Sequence, residues 1–249
     1  MQAYVHSGYY NIYRPPFSLS DVGNHKSSIY CVSDRFNTAL VIIPLVPAFY
    51  KDVIDIVKNS PARHIYLIAP DVGISFISDY YLAWDTINKT LRKSCKIFSK
   101  YVIENFARAD FKSDIIRAEN DSISINIPRS EIDVGTIDIT FSKKYVKAYA
   151  PFSCDIILND GYKKRIFVGE MNHLKAKWFI ENKNSFDEIH MAYMTGNYGG
   201  MTYLKLIQEF PTLVSKVYCN QFASTDEFLY ARSRGVSVGG EYKNDFIQK

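Results

Sequence analysis

Apolar positions change their spacing twice along this chain, and the changes mark three zones. In the first zone, short apolar runs alternate with helical spacing. Gln2–Val5 reads as a strand followed by a loop through Arg14-Pro15-Pro16. Ser28–Ser33 and Ala39–Ile43, separated by Asp34-Arg35-Phe36-Asn37, have the spacing of a hairpin. Phe49, Val53, Ile56 and Val57 share a helical face, with Pro61 just beyond its end. An apolar strand at His64–Ile68 then passes through a short polar turn into a helix. Ile77, Tyr80, Tyr81, Trp84, Ile87 and Leu91 keep its 3.6-residue period. Lys96–Phe98 is a short strand, and Ser99 can cap a helix over Lys100–Ala109.

From Ser113 to Val168 the helical spacing disappears. Ile115/Ile116, Ile123–Ile127, Ile137–Phe141, Tyr145–Tyr149, Asp155–Leu158 and Arg165–Val168 follow one another as strands, with a tight-turn signal at Asn159-Asp160-Gly161. After Gly169 the alternation returns: a helix over Leu174–Ile180, a strand at Glu188–Ala192, and a glycine-containing turn over Thr195–Gly200. A helix with Met201, Leu204, Ile207 and Phe210 follows, then a strand at Lys216–Cys219. Ser224 or Thr225, with Asp226 and Glu227, opens another helix that Gly235 closes, and Val236–Val238 is a last strand.

Two βα zones joined through consecutive strands predict two sheets packed face to face with helices outside. That is a four-layer αββα sandwich, of the α/β (α+β) class. A doubly wound Rossmann-type sheet fits less well, because consecutive strands with no helix between them do not build a mostly parallel sheet. The sequence carries no repeat, low-complexity stretch or Pro/Gly/Ser linker, so residues 1–249 read as a single domain.

Composition narrows the function classes. Hydrophobic residues make up 47% and charged residues 22%, which suits a globular chain. The 19 Tyr and 16 Phe supply both core and contact surface. A bias toward Ile, Lys, Asn, Tyr and Phe is what an AT-rich genome writes, such as that of a large bacteriophage. Net charge is only +4, low for a nucleic-acid protein. The local basic groups (Lys89, Arg92, Lys93 and Lys96; Lys143, Lys144 and Lys147; Lys163-Lys164-Arg165) read as solvated helix ends and hairpin turns. Cys31, Cys95, Cys154 and Cys219 lie far apart with no Cys-x-x-Cys pair, so neither a disulfide framework nor a zinc knuckle is expected. The N-terminus is not a signal peptide, and no apolar run approaches the ~18–20 residues of a membrane span. A cytoplasmic protein is expected, in the host cytoplasm if the source is viral.

The order of elements from Ser28 to Gly240 resembles the metallo-β-lactamase fold, in particular its phosphodiesterase and tRNA-maturase branch. Lys164-Arg165-Ile166-Phe167-Val168-Gly169-Glu170 looks like that family's strand leading to a metal-bridging carboxylate. Phe186–Met191 looks like the strand after it, and Lys216–Gln221 like the strand that delivers a late histidine. The resemblance implies a His-x-His-x-Asp-His cluster just after His64–Ile68. Here that turn reads Ala69-Pro70-Asp71-Val72-Gly73-Ile74-Ser75, with Asp71 its one metal-binding side chain. The histidine implied near Tyr149–Phe152 is absent. Glu170 stands for the bridging aspartate, and Asn220-Gln221 for the late histidine. A two-metal centre needs several nitrogen and carboxylate ligands at about 2 Å from each ion. One Asp and one Glu do not supply them, so no metal, cofactor or catalytic residue is assigned. Asp71, Asp79, Glu170, Asn220 and Gln221 are expected to line a vestigial pocket.

His173, three residues after Glu170, makes a Glu-x-x-His pair of low specificity. His64 and His190 lie in strand-like runs, where hydrogen bonding within the fold is expected; His6 and His25 lie in loops. Gly196-Asn197-Tyr198-Gly199-Gly200 lacks the Lys and Ser/Thr of a phosphate loop. The leading expectation is a catalytically degenerate protein that binds a protein partner or assists assembly, for instance of a phage tail or baseplate. Contact candidates are Tyr9, Tyr10, Tyr13 and Phe17 in the N-terminal loop, and Tyr80, Tyr81 and Trp84, with a core position the equal alternative for each. The alternative is a metal-dependent phosphodiesterase or nuclease with an unconventional site at Asp71, Asp79, Glu170 and His173. A nucleotide- or nucleic-acid-binding module using the lysine clusters is a weaker third. A small-molecule ligand is left open.

Overall fold

A computed structural model describes residues 2–7, 10–14, 29–34, 38–44, 50–69, 74–99, 109–117, 121–128, 134–142, 155–159, 161, 163–168, 178, 181–182, 184–191, 217–219, 225–235 and 237–238. Among the described residues, fourteen strands form two sheets of seven, each laid down in chain order. The first holds β1 (Gln2–Ser7), β2 (Tyr10–Arg14), β3 (Ile29–Asp34), β4 (Ala39–Pro44), β5 (His64–Ala69), β6 (Ser94–Ser99) and β7 (Ile115–Arg117). The second holds β8 (Ser122–Pro128), β9 (Val134–Ser142), β10 (Asp155–Asn159), β11 (Lys164–Val168), β12 (Glu188–Met191), β13 (Val217–Cys219) and β14 (Ser237–Val238).

Both sheets follow one plan. β1 to β4 pair antiparallel and β4 to β7 parallel. β8 to β11 pair antiparallel and β11 to β14 parallel. The halves repeat each other in topology where the sequence shows no repeat. Parallel pairing needs a crossover, and the helices sit in those connections.

α1 (Tyr50–Asn59) joins β4 to β5. Val53, Ile54 and Val57 face inward, while Lys51, Asp52, Asp55 and Lys58 face water. Asp52 in its first turn and Lys58 in its last complement the helix dipole. Lys93 closes the C-terminal end, donating from Nζ to the Val57 (2.7 Å) and Ser60 (2.6 Å) carbonyls. α2 (Ile74–Asp85) joins β5 to β6 and runs directly into a π-turn at Thr86–Thr90. α3 (Ala109–Lys112) precedes β7, and α4 (Thr225–Ser233) precedes β14. Gly235 takes φ +86°, the left-handed conformation with which helices commonly end.

Alternation along the strands separates two cores. Ile29, Cys31, Leu40, Ile42, Ile65, Leu67, Cys95 and Ile97 meet α1, α2 and Phe111 on one face of the first sheet. Tyr30, Val32, Val41, Ile43, Ile68 and Phe98 point the other way, toward Ile125, Ile137, Ile139, Phe141, Ile156, Leu158 and Phe167 of the second. That contact makes the sheet-on-sheet sandwich. Ile166, Val168 and Ile189 are buried on the far face of the second sheet, so that face is covered too. The α/β sandwich expected from the sequence is therefore present.

One expectation needs correction and one open choice is decided. Tyr10–Arg14 is a strand paired on both sides, with β1 and β3, and not a loop. Of the two readings of Tyr80, Tyr81 and Trp84, core is the one present: they are 2%, 9% and 4% exposed and offer little contact surface. Trp84 Nε1 donates to Asp114 (2.8 Å), and Phe111 stands edge-on to both Tyr81 and Trp84. The expected strand Tyr145–Tyr149, the turn Thr195–Gly200 and the helix around Met201–Phe210 lie outside the described residues. So do the expected helices Lys100–Ala109 and Leu174–Ile180, apart from Ala109 and Trp178.

Candidate functional site

Parallel strands of an α/β sheet deliver their ligand-binding loops at their C-terminal ends. β5 ends there at Ala69, β11 at Val168, β12 at Met191 and β13 at Cys219. The residues expected to form a vestigial pocket follow these ends. Asp71, Glu170, Asn220 and Gln221 lie outside the described residues, as does His173 of the alternative metal site. Asp79 is described: it is half-buried on α2, a little over one turn into the helix.

The donor set does not fit a two-metal centre. The turn after β5 contains no histidine, so it does not supply the nitrogen ligands such a centre needs. Among the described residues, no group of three or more His, Cys, Asp or Glu side chains converges. Cys31 and Cys95 are buried, and burial pushes both thiols well above their usual range, away from the thiolate that binds metal or attacks carbon.

The densest polar chemistry in the described structure lies inside the sandwich. Arg165 and Phe167 alternate on β11 and Glu188 and His190 on β12, with Arg165 opposite Glu188 and Phe167 opposite His190. All four side chains are buried, and Phe167 belongs to the inter-sheet core. Glu188 is the hub. Its Oε2 accepts from Arg165 Nε (3.1 Å) and lies 3.1 Å from His190 Nε2; its Oε1 accepts from Lys163 Nζ (2.8 Å). An ionised carboxylate only accepts, so the His190 proton on this contact sits on Nε2. The imidazole stacks on Phe167, with centroids 4.7 Å apart, and meets the edge of Tyr30 from β3.

Burial pushes the Glu188 carboxyl up. The hydrogen bond from His190, the charges of His190 and Arg165, and the Lys163 bond outweigh it, holding the group at about 2. Glu188 therefore stays ionised at every ordinary pH and is no general acid. The network fixes the β11–β12 register, since a one-residue slip would send Arg165 and Glu188 to opposite faces. Sequence spacing anticipated an internally bonded His190. It missed Glu188 and Arg165, whose signal was charge at alternate positions of two apolar strands.

Basic residues read as solvated turn and helix-end charges have more specific partners. Arg165 is fully buried, correcting its reading as a solvated turn residue. The strand that starts at Lys164 turns alternate residues inward, and Arg165 is the first of them. Lys163 is held by Glu188, and Lys164 lies over the Phe186 ring. Lys89 bridges Asp85 (2.6 Å) and Asp110 (3.3 Å) above Trp84. Its hydrogen bond to Asp85 leads the effects that raise its pKa.

No family model matches the chain, and no curated protein sequence matches it. Its fold does match solved structures. The metallo-β-lactamase fold protein YhfI from Bacillus subtilis superposes with a TM-score of 0.57 at 11% identity, covering 95% of this chain and 98% of that one. Zn(2+)-bound PqqB from Methylobacterium extorquens superposes with a TM-score of 0.52 at 8% identity, covering 94% of this chain and 98% of that one. Likeness at such identities establishes architecture and not chemistry. This chain has the metallo-β-lactamase fold, and the turn after its β5 lacks every histidine of that fold's first metal motif.

Proposed function

We propose that this chain is a catalytically degenerate member of the fold that works by binding a protein partner, as an assembly factor. The observation that carries this reading is the turn Ala69–Ser75, where one carboxylate, Asp71, stands in place of a histidine cluster. A scaffold kept at nearly full length without the donors for a dinuclear centre serves by its surface. The compositional bias supports a bacteriophage source, and assembly of a virion substructure such as a tail or baseplate is the corresponding role. With Tyr80, Tyr81 and Trp84 in the core, the N-terminal aromatic residues Tyr9, Tyr10, Tyr13 and Phe17 are left as contact candidates.

The test is the metal content of protein purified without chelator or affinity tag. Fewer than about 0.1 equivalents of Zn, Mn or Fe per chain is expected, since tight sites load stoichiometrically. Co-purification from the native lysate should then recover a specific protein at fixed stoichiometry. One or two metal equivalents would overturn the reading and favour the phosphodiesterase alternative, in which Glu170→Ala would abolish phosphodiester turnover.

A further inference from the structure

Each sheet has two edges: β1 and β7 bound the first, β14 and β8 the second. An open edge offers unpaired backbone groups to any strand, and proteins usually guard it with brevity, charge or a bulge. β14 has two residues, and β7 has three, ending in the exposed Arg117. β1 is guarded by a register break between Ala3 and Val5. β8 is neither short, charged nor bulged, and its one guard is Pro128 at its C-terminal end, beyond the Ser122–Asn126 stretch. Its seven residues, Ser-Ile-Ser-Ile-Asn-Ile-Pro, pair with β9 in unbroken register and carry no charge.

Which of its backbone groups face outward follows from the ladder. The Phe141 N–H donates to the Asp121 carbonyl (2.8 Å), which makes Asp121 and Phe141 a hydrogen-bonded pair. Bonded pairs alternate along an antiparallel ladder, so Ile123, Ile125 and Ile127 turn their N–H and C=O groups to β9. Ser122, Ser124 and Asn126 turn theirs away from the sheet. Pro128 falls at the next outward position, where its missing N–H costs β9 nothing. Among the described residues, no strand pairs with this edge.

We propose that β8 pairs antiparallel with β8 of a second copy of this chain about a two-fold axis at Ser124, extending the seven-stranded sheet across both. The sequence of β8 is self-complementary in that arrangement. Ser124 meets its own copy, and Ser122 meets Asn126, so no like charges face each other. On the inner face Ile123 meets Ile125 of the other copy, and Ile123, half-buried in one chain, gains cover. The inference is independent of the metal question and of any heterologous partner.

Light scattering on size-exclusion peaks tests it, together with hydrogen exchange resolved to single amides. One strand pair buries less than the ~1,600 Å² of a standard interface, so association is expected over roughly 5–200 µM. Within that range the mass should rise toward twice 28.6 kDa. The Ser122, Ser124 and Asn126 amides should slow at least about tenfold with concentration, while Ile123, Ile125 and Ile127 stay protected throughout. Ser124→Lys places two ammonium groups opposite each other at the axis, yet in one chain meets Asp138, now 2.6 Å from the serine hydroxyl. Ser124→Pro removes an outward N–H that β9 does not use. Both variants should stay monomeric with an unchanged melting temperature. A wild type that is monomeric across the range would overturn the proposal. So would a dimer in which those three amides exchange freely, or one that survives both substitutions.

Discussion

Glu188 gathers three basic side chains, Lys163, Arg165 and His190, on a single carboxylate. Its folded value of about 2 lies below the ordinary 4.5, so the stability it contributes is complete above 4.5 and declines as pH falls toward 2. At about 1.4 kcal/mol per tenfold change in proton affinity, the loss is on the order of 3 kcal/mol. Urea midpoints measured from pH 6 to pH 2.5 should fall in that window, and those of Glu188→Gln should fall less steeply. Parallel slopes would show that other carboxylates dominate acid unfolding. Replacing Glu188 by Ala at neutral pH leaves Arg165 buried without this partner, at a cost of roughly 3–5 kcal/mol. Lys93 is a milder case. Burial lowers its pKa, yet two carbonyls hold its ammonium group. Lys93→Met keeps the stem and removes both bonds, and should cost about 1–3 kcal/mol in thermal or urea unfolding. A neutral substitution would mean that water caps α1 equally well.

Elements were legible where periodicity was long and local. Helix α2 announced itself through a sustained 3.6-residue period, and the β3–β4 hairpin through its spacing. β2 was not legible. Tyr10–Arg14 is short, ends against Pro15-Pro16, and gains its strand conformation from pairing with both β1 and β3. The π-turn at Thr86–Thr90 was equally invisible, because its purpose lies across space. Asn88 in that turn accepts from the Cys95 backbone N–H (3.1 Å) and donates to the Trp84 carbonyl (3.1 Å). β7 joins β6 only from Ile97 onward, so Asn88 stands in for the strand that has not yet begun. Asn88→Ala leaves the Cys95 N–H without that acceptor and should lower stability by about 1–3 kcal/mol. Exchange of the Cys95 amide should accelerate more than that of Ile65, its neighbour in β5. Equal protection would sink this account. The candidate site was the least legible part. Family likeness located the strand ends, but residue types there argue for absent chemistry, which no periodicity can convert into a partner.

At the scale of the whole molecule, the repeated topology raises the question of whether each half is a folding unit. The inter-sheet core argues that it is not. Tyr30, Val41, Ile68 and Phe98 from the first sheet bury against Ile125, Ile139, Phe141 and Phe167 from the second, and among the described residues these two groups make up most of that core. Separating the sheets would expose all of them, at about 25 cal/mol for each Å² of apolar surface returned to water. Tyr30 also closes over the Phe167–His190 stack, so the charged network needs the first sheet to stay dry. One cooperative transition is therefore expected, with equal calorimetric and van't Hoff enthalpies. Val41→Ala in the first sheet and Ile139→Ala in the second should each cost roughly 2–4 kcal/mol and shift that same transition. Two resolved transitions, each sensitive to one substitution only, would show instead that the halves are separate domains joined by their repeated plan.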